Sequence, residues 1–214
     1  MGKRFKSIPE WTWEERATAQ GFHYICGCDE AGAGPLAGPL YAAAVILPPG
    51  VSLPGLKDSK QVTPKRREIL FEQIKDAALD WKVASVPPEE IDKINILNAR
   101  IKAMQEAIDL LYPAADYALV DGNRNHGSLY ALTARHELVV RGDCSSMSIA
   151  AASIVAKVAR DHYMIEMAEK YPQYHFEQHK GYGTKLHYAM LEEHGPSPIH
   201  RKSFLKKWEA RRSE

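Results

Sequence analysis

Residues 26–47 read CGCDEAGAGPLAGPLYAAAVIL. An apolar stretch over 22–29 reads as a strand, and it closes on two adjacent acids, Asp29 and Glu30. A loop of nearly bare backbone, Gly32-Ala33-Gly34, follows, and a second strand is expected over 40–47. Burying charge is costly unless the charge is paired or holds a metal. Taken alone, an Asp-Glu pair fits a turn cap beside a solvated acid. Two further acids change that reading. Asp121 follows the apolar run YALV and precedes Gly122, and Asp143 follows ELVVRG and precedes an alanine-rich helix. Three expected strands thus carry an acid at the C-terminal end, where open α/β sheets build their sites.

If those strands run parallel, the acids converge. Converging carboxylates repel one another unless a cation lies between them. Oxygen donors without His or Cys beside them suit Mg²⁺ or Mn²⁺ rather than zinc. Several carboxylates can hold two such ions roughly 4 Å apart, an arrangement that cuts phosphodiesters by in-line attack of water. Asp143 also fits an N-cap of the helix after it, although Ser145 or Ser146 could take that place.

The rest of the chain sets the frame. At 214 residues, with 45% hydrophobic and 26% charged residues, it is large enough for one good core. A net charge of +1 gives no global basic field, but two clusters stand out. One is Lys57, Lys60, Lys65, Arg66 and Arg67; the other is Arg201, Lys202, Lys206, Lys207, Arg211 and Arg212. Such patches bind phosphates or simply face water. Three cysteines, Cys26, Cys28 and Cys144, form no disulfide framework, and no stretch suits a signal peptide or a bilayer span. A cytoplasmic setting follows. We divide the chain into a leading segment over 1–20, a catalytic domain over 21–200 and a short basic tail over 201–214.

Thr63-Pro64 opens a helix expected to reach about residue 79. Residues 81–86 read as a strand. Ile91, Ile94, Leu97, Ile101, Met104, Ile108 and Leu111 recur at helical spacing and predict one long helix over 88–111. Strands are expected over 117–121 and 137–140. The helix over 146–171 begins with SIAAASIVAKVA, small enough to lie close against a sheet. A loop over 172–183, a helix over 184–194 and a helical tail from 203 complete the pattern. Strands first in series and then alternating with helices predict an α/β layer with a mixed sheet. His175, Glu177 and His179 lack a fourth zinc-type ligand, and Asp161 reads as a helix-surface acid or one that stands behind the ligands, rather than as a fifth ligand.

Six blocks carry a resemblance: CDEAGAGPLAGPLYAAAVIL, LKDSKQVTPKRRE, ALVDGN, GDCSSMSIAAASIVAKVARD, YPQYHFEQHKGYGTKLH and PSPIHRKSF. In this order they resemble bacterial ribonuclease HII over about residues 24–204. The resemblance implies an RNase H-like mixed sheet flanked by helices. It also implies metal-dependent cleavage of the RNA strand in RNA–DNA hybrids and incision 5′ to ribonucleotides embedded in duplex DNA. Such incision leaves 3′-hydroxyl and 5′-phosphate ends and belongs to ribonucleotide excision repair. Its four catalytic and metal-binding carboxylates fall on Asp29, Glu30, Asp121 and Asp143, and its ions are Mg²⁺ or Mn²⁺. Gly32, Ala33 and Gly34 match the loop that reads the ribose 2′-hydroxyl, Tyr182 the tyrosine that packs on the junction sugar, and Ser59 and Lys60 a motif near the nucleic-acid backbone. A 2′-hydroxyl is what distinguishes RNA from DNA, and glycine lets main chain approach a sugar closely.

Two positions depart from the family pattern. Ala33 stands where arginine is usual, and Ser145 where a basic residue is common. With four carboxylates kept, an active monomeric enzyme is expected. The rivals are a weakened hybrid-binding module and an RNase H-fold nuclease acting on other nucleic-acid structures. The family can contact a replication clamp; the short tail carries no motif for it.

Overall fold

The computed structural model describes residues 8–123 and 130–212. Helix α1 (Thr12–Ala19) leads into β1 (Ile25–Ala31) and β2 (Leu40–Ile46). Helix α2 (Pro64–Ala77) precedes β3 (Asp80–Val86), followed by α3 (Pro88–Ile94) and α4 (Ile96–Asp109). Strands β4 (Tyr117–Asp121) and β5 (His136–Val139) come next. The chain closes with α5 (Met147–Lys170), the short α6 (Phe176–His179), α7 (Lys185–His194) and α8 (Lys202–Arg212). No described helix is long and apolar enough to cross a membrane.

The five strands form one sheet in the order β3-β2-β1-β4-β5. β1 pairs antiparallel with β2, and β2 with β3; β1 pairs parallel with β4, and β4 with β5. The sheet is therefore mixed, as the element order predicted, and its parallel half brings the ends of β1, β4 and β5 to one edge.

Strand alternation divides β1 between two cores. Cys26 and Cys28 pack with Ile101, Met104 and Ile108 of α4 on one face. Gly27 faces α5 on the other, and an added Cβ there would lie 2.0 Å from the backbone carbon of Ser148 and 2.2 Å from the nitrogen of Ile149. Ala150, Ala151, Ala152 and Ala156 are fully buried, so the small residues of α5 do let its axis sit close to the sheet. Helix α2 covers part of α5 through Leu70 and Ile74. Its start has the expected form, with Thr63 accepting from Arg66 N–H and Pro64 in the first turn.

Three expectations need correction. The long helix over 88–111 is two helices. Asn95 takes φ 67° and caps α4 through its side chain, accepting from Asn98 N–H at 3.1 Å. Asn tolerates left-handed φ better than most residues, and the apolar spacing continues across the break, so periodicity alone is blind to it. Strand β1 starts later and runs further than expected, so Asp29 and Glu30 lie inside it. Its parallel pairing stops at Cys28↔Val120, while its antiparallel pairing continues to Ala31↔Tyr41. Two arginines counted in the basic clusters are not surface cations: Arg67 is buried beside Asp161, and Arg201 is fully buried. The leading residues 1–7 and the last two of the tail lie outside the described residues.

Candidate active site

Asp29 follows the last parallel pair of β1, Asp121 ends β4, and Asp143 sits in a 3-10 turn (Gly142–Cys144) just after β5. Carboxylate oxygens of these three residues lie within 4.8 Å of one another. Two backbone groups aim them. Gly142 N–H donates to Asp121 Oδ1 at 2.7 Å, and Glu30 N–H donates to Asp29 Oδ1 at 2.7 Å. Asp143 does not cap α5; Ser146 does, its hydroxyl accepting from Ile149 N–H at 3.2 Å. Asp143 is left free for other work, and it also stands within 4.8 Å of Asp58 and Cys144 donor atoms.

Glu30 stands outside the aspartate triad. Adjacent strand residues face opposite sides of a sheet, and Glu30 turns toward α4, where Arg100 Nε lies 2.8 Å from its Oε1. Its Oε2 is buried without a hydrogen-bond partner. Arg100 went unnoticed in the sequence because ARIKAM reads as an ordinary amphipathic turn. Lys60 supplies a second cation, with Nζ 4.0 Å from Asp143 Oδ2.

These carboxyls all hold their protons more tightly than usual. Burial is the main cause for Asp29, followed by the charges of Glu30, Asp121 and Asp143. Burial also raises Glu30 against the pull of Arg100, and Asp121 against the Gly142 hydrogen bond. Asp143 is pushed up to about 6 by burial and then by Asp121 and Asp58. Such crowding of like charges is what a divalent cation relieves.

The glycine loop lies next to this corner. Gly32 has φ +95°, and a Cβ there would meet Arg160 Nε at 2.1 Å. Arg201 fixes the loop from beneath, its Nη2 donating to Gly32 O at 2.7 Å, Nη1 to Ala33 O at 3.2 Å and Nε to Gly38 O at 2.9 Å. In a trans peptide the carbonyl and the next N–H point opposite ways. With both carbonyls turned in to Arg201, the Ala33 and Gly34 N–H groups face the other side. Arg160 ties the next stretch, donating to Ala37 O at 3.1 Å and Pro39 O at 3.2 Å.

Tyr182 is 42% exposed, and its ring edge lies 3.9 Å from a Cβ added at Gly34. A relay of imidazoles holds its main chain. Ser197 N–H donates to His200 Nδ1, so His200 carries its proton on Nε2 and gives it to His187 Nε2 at 2.9 Å. His187 then donates from Nδ1 to Tyr182 O at 3.0 Å. Both rings are neutral; burial and the neighbouring rings pull His187 down to about 4 and His200 to about 3. His179 is likewise spent on Tyr174 O and Gly181 N–H, and neither candidate metal group among the described residues includes it, His175 or Glu177.

Ser59 is buried and its N–H donates to Ser153 Oγ at 3.3 Å, whereas Lys60 beside it is exposed. Ser145 faces α1 and accepts from Trp13 Nε1 at 3.2 Å. Asp161 pairs with Arg67 and Lys157.

The family profile described as Ribonuclease HII matches residues 26–207. The chain is 53% identical over 185 residues to the ribonuclease HII of Endomicrobium trichonymphae, covering 86% of this chain and 87% of the relative. It is 53% identical over 180 residues to that of Idiomarina loihiensis, covering 84% and 94%. The crystal structure of ribonuclease H2 from Pyrococcus horikoshii OT3 superposes with a TM-score of 0.73 at 27% identity, over 90% of this chain and 100% of that one. A mixed five-stranded sheet, a matching profile over most of its length and relatives at about half identity leave one assignment: the chain belongs to the ribonuclease HII family of RNase H-type hydrolases.

Proposed function

We propose that this protein is a metal-dependent endoribonuclease that cuts the RNA strand of RNA–DNA hybrids and incises 5′ to ribonucleotides embedded in duplex DNA, leaving 3′-hydroxyl and 5′-phosphate ends. One observation carries the reading: Asp29, Asp121 and Asp143 bring oxygens within 4.8 Å of one another at the edge where the parallel strands end. The donor set fits Mg²⁺ or Mn²⁺, being all oxygen, crowded and short of positive charge, with Glu30 Oε2 still bare. Bound there, divalent ions supply the activation of water and the stabilisation of the leaving oxygen.

The chain's own groups do the rest. Asp29, Glu30, Asp121 and Asp143 hold the ions, and Gly142 N–H keeps Asp121 turned toward its partners. Ala33 and Gly34 N–H groups read the ribose 2′-hydroxyl by main chain, so the loop needs no arginine at Ala33 for that contact. Tyr182 packs on the junction sugar. Lys60 meets a backbone phosphate, and the Ser59 turn places it. All four carboxylates come from one chain, which supports a monomer, and three free cysteines suit the cytoplasm.

The test is a duplex carrying one ribonucleotide, incubated with and without Mn²⁺. Cutting at the ribonucleotide only with metal is expected, and an all-DNA duplex should stay whole. Binding without cutting would replace the enzyme by a hybrid-binding module, and scission of all-DNA structures by a different nuclease. Ala33→Arg should tighten substrate binding without moving the cut; about 1.5–3 kcal/mol is typical of one charge-assisted hydrogen bond.

Acidity gives a second check. A carboxyl whose pKa is raised by folding stabilises the fold fully below about pH 4, and that increment is lost as pH rises through the folded value. For Asp143 that value is about 6. Metal needs the ionised form. The rise in melting temperature caused by saturating Mn²⁺ should therefore grow from pH 5 to pH 7 as Asp143 ionises. The buried histidines titrate alike with and without metal and cancel from this difference. A metal-induced shift that is constant across that range would count against carboxylate ligands.

A further inference from the structure

Arg100 projects from α4 to the end of the sheet. Its Nε lies 2.8 Å from Glu30 Oε1, with side-chain exposures of 29% and 13%. The same guanidinium reaches the turn after β4, where its Nη2 would be 3.8 Å from a Cβ added at Gly122. One cation thus spans the strand ends that carry Glu30 and Asp121. Its Nε stands against one Glu30 oxygen as an ion pair without an aligned hydrogen bond, and the other oxygen, Oε2, is buried and without a partner. Lys60 is the other cation at this corner, but at 75% exposure it is largely screened by water.

We propose that Arg100 is a positioning residue that sets the metal demand of the site: it holds Glu30 by an ion pair at Oε1, presents Oε2 as a donor, and by its fixed charge weakens divalent-ion binding. The inference rests on the metal-dependent reading above. A guanidinium paired to a ligand competes with the ions for that ligand and repels them directly. The two effects act together on affinity, whereas the clamp favours turnover by fixing the carboxylate. Removing Arg100 should therefore move affinity and rate in opposite directions.

Calorimetric titration of Mn²⁺ into metal-free wild type, Arg100→Gln and Arg100→Lys tests this, with thermal melts of the same samples. Arg100→Gln should bind Mn²⁺ about tenfold more tightly than wild type, and Arg100→Lys should stay within about twofold because the charge remains. Metal-free Arg100→Gln should melt below wild type, since Glu30 loses its partner, and saturating Mn²⁺ should close most of that gap. At saturating Mn²⁺ its kcat should fall by about tenfold, with Arg100→Lys in between. An arginine that merely props the fold would lower the melting temperature of Arg100→Gln and leave Mn²⁺ affinity unchanged. That outcome, or weaker Mn²⁺ binding by Arg100→Gln, overturns the proposal while leaving the metal-dependent reading intact. Failure of wild type itself to bind Mn²⁺ overturns both.

Discussion

Asp121→Asn or Asp29→Asn is expected to slow cleavage of a ribonucleotide-bearing duplex by at least about 10³-fold, roughly 4 kcal/mol of transition-state stabilisation. Each change is nearly isosteric and keeps the local geometry. The amide oxygen that Asp121→Asn introduces still accepts from Gly142 N–H, and the one that Asp29→Asn introduces still accepts from Glu30 N–H. What disappears is one negative charge among crowded ones. Folding should not suffer: the metal-free variants should melt at or above wild type, because Asp29, Asp121 and Asp143 repel one another in the folded chain. Single-turnover assays beside thermal melts separate the two effects. Undiminished cutting by either variant would remove that residue from the chemistry.

Arg201→Met should have the largest effect on the fold itself, costing roughly 3–5 kcal/mol as a buried polar network loses its central donor. Arg201 is fully buried and donates to Gly32 O, Ala33 O and Gly38 O. Methionine keeps the volume but leaves three carbonyls bare. Lysine has one point of charge where a planar fork is needed, so Arg201→Lys should recover only part of the loss. Denaturant titration gives the stability change. In whatever Arg201→Lys protein remains folded, incision at a lone ribonucleotide should fall more than cleavage of a long hybrid if the Gly32–Gly34 loop reads the sugar as proposed, because that loop is the part that loosens. Equal losses on both substrates would detach the loop from junction reading.

Much of this molecule was legible in its residues, for identifiable reasons. Acids at the ends of apolar runs mark a site because burial without compensation is unfavourable, and Asp29, Asp121 and Asp143 do meet. Alanines in the first half of α5 announced close packing on the sheet, and Thr63-Pro64 announced a helix start; both stand as read. The break at Asn95 was hidden, since a left-handed residue inside a continuing apolar stripe leaves the stripe unchanged. Arg201 and Arg67 were miscounted as surface charge, because composition cannot tell a guanidinium that serves backbone carbonyls or a half-buried acid from one that faces water. The Arg100–Glu30 pair joins residues far apart in the chain, and no local spacing encodes it.

Helix α5 meets β1 at Gly27, which lies against Ile149, and meets the loop just after β1 at Gly32, which lies against Arg160. Along the extended chain from Gly27 to the first residue after β1 those points are roughly 16 Å apart; along the helix the interval is also roughly 16 Å. The two elements therefore act as matched gauges, and their equal lengths set how far the aspartate corner sits from the glycine loop. Losing one residue between Ile149 and Arg160 would swing everything beyond it by about 100° and throw the gauge out of step. Lineages of this protein should accordingly vary in length elsewhere and keep this stretch free of insertions and deletions.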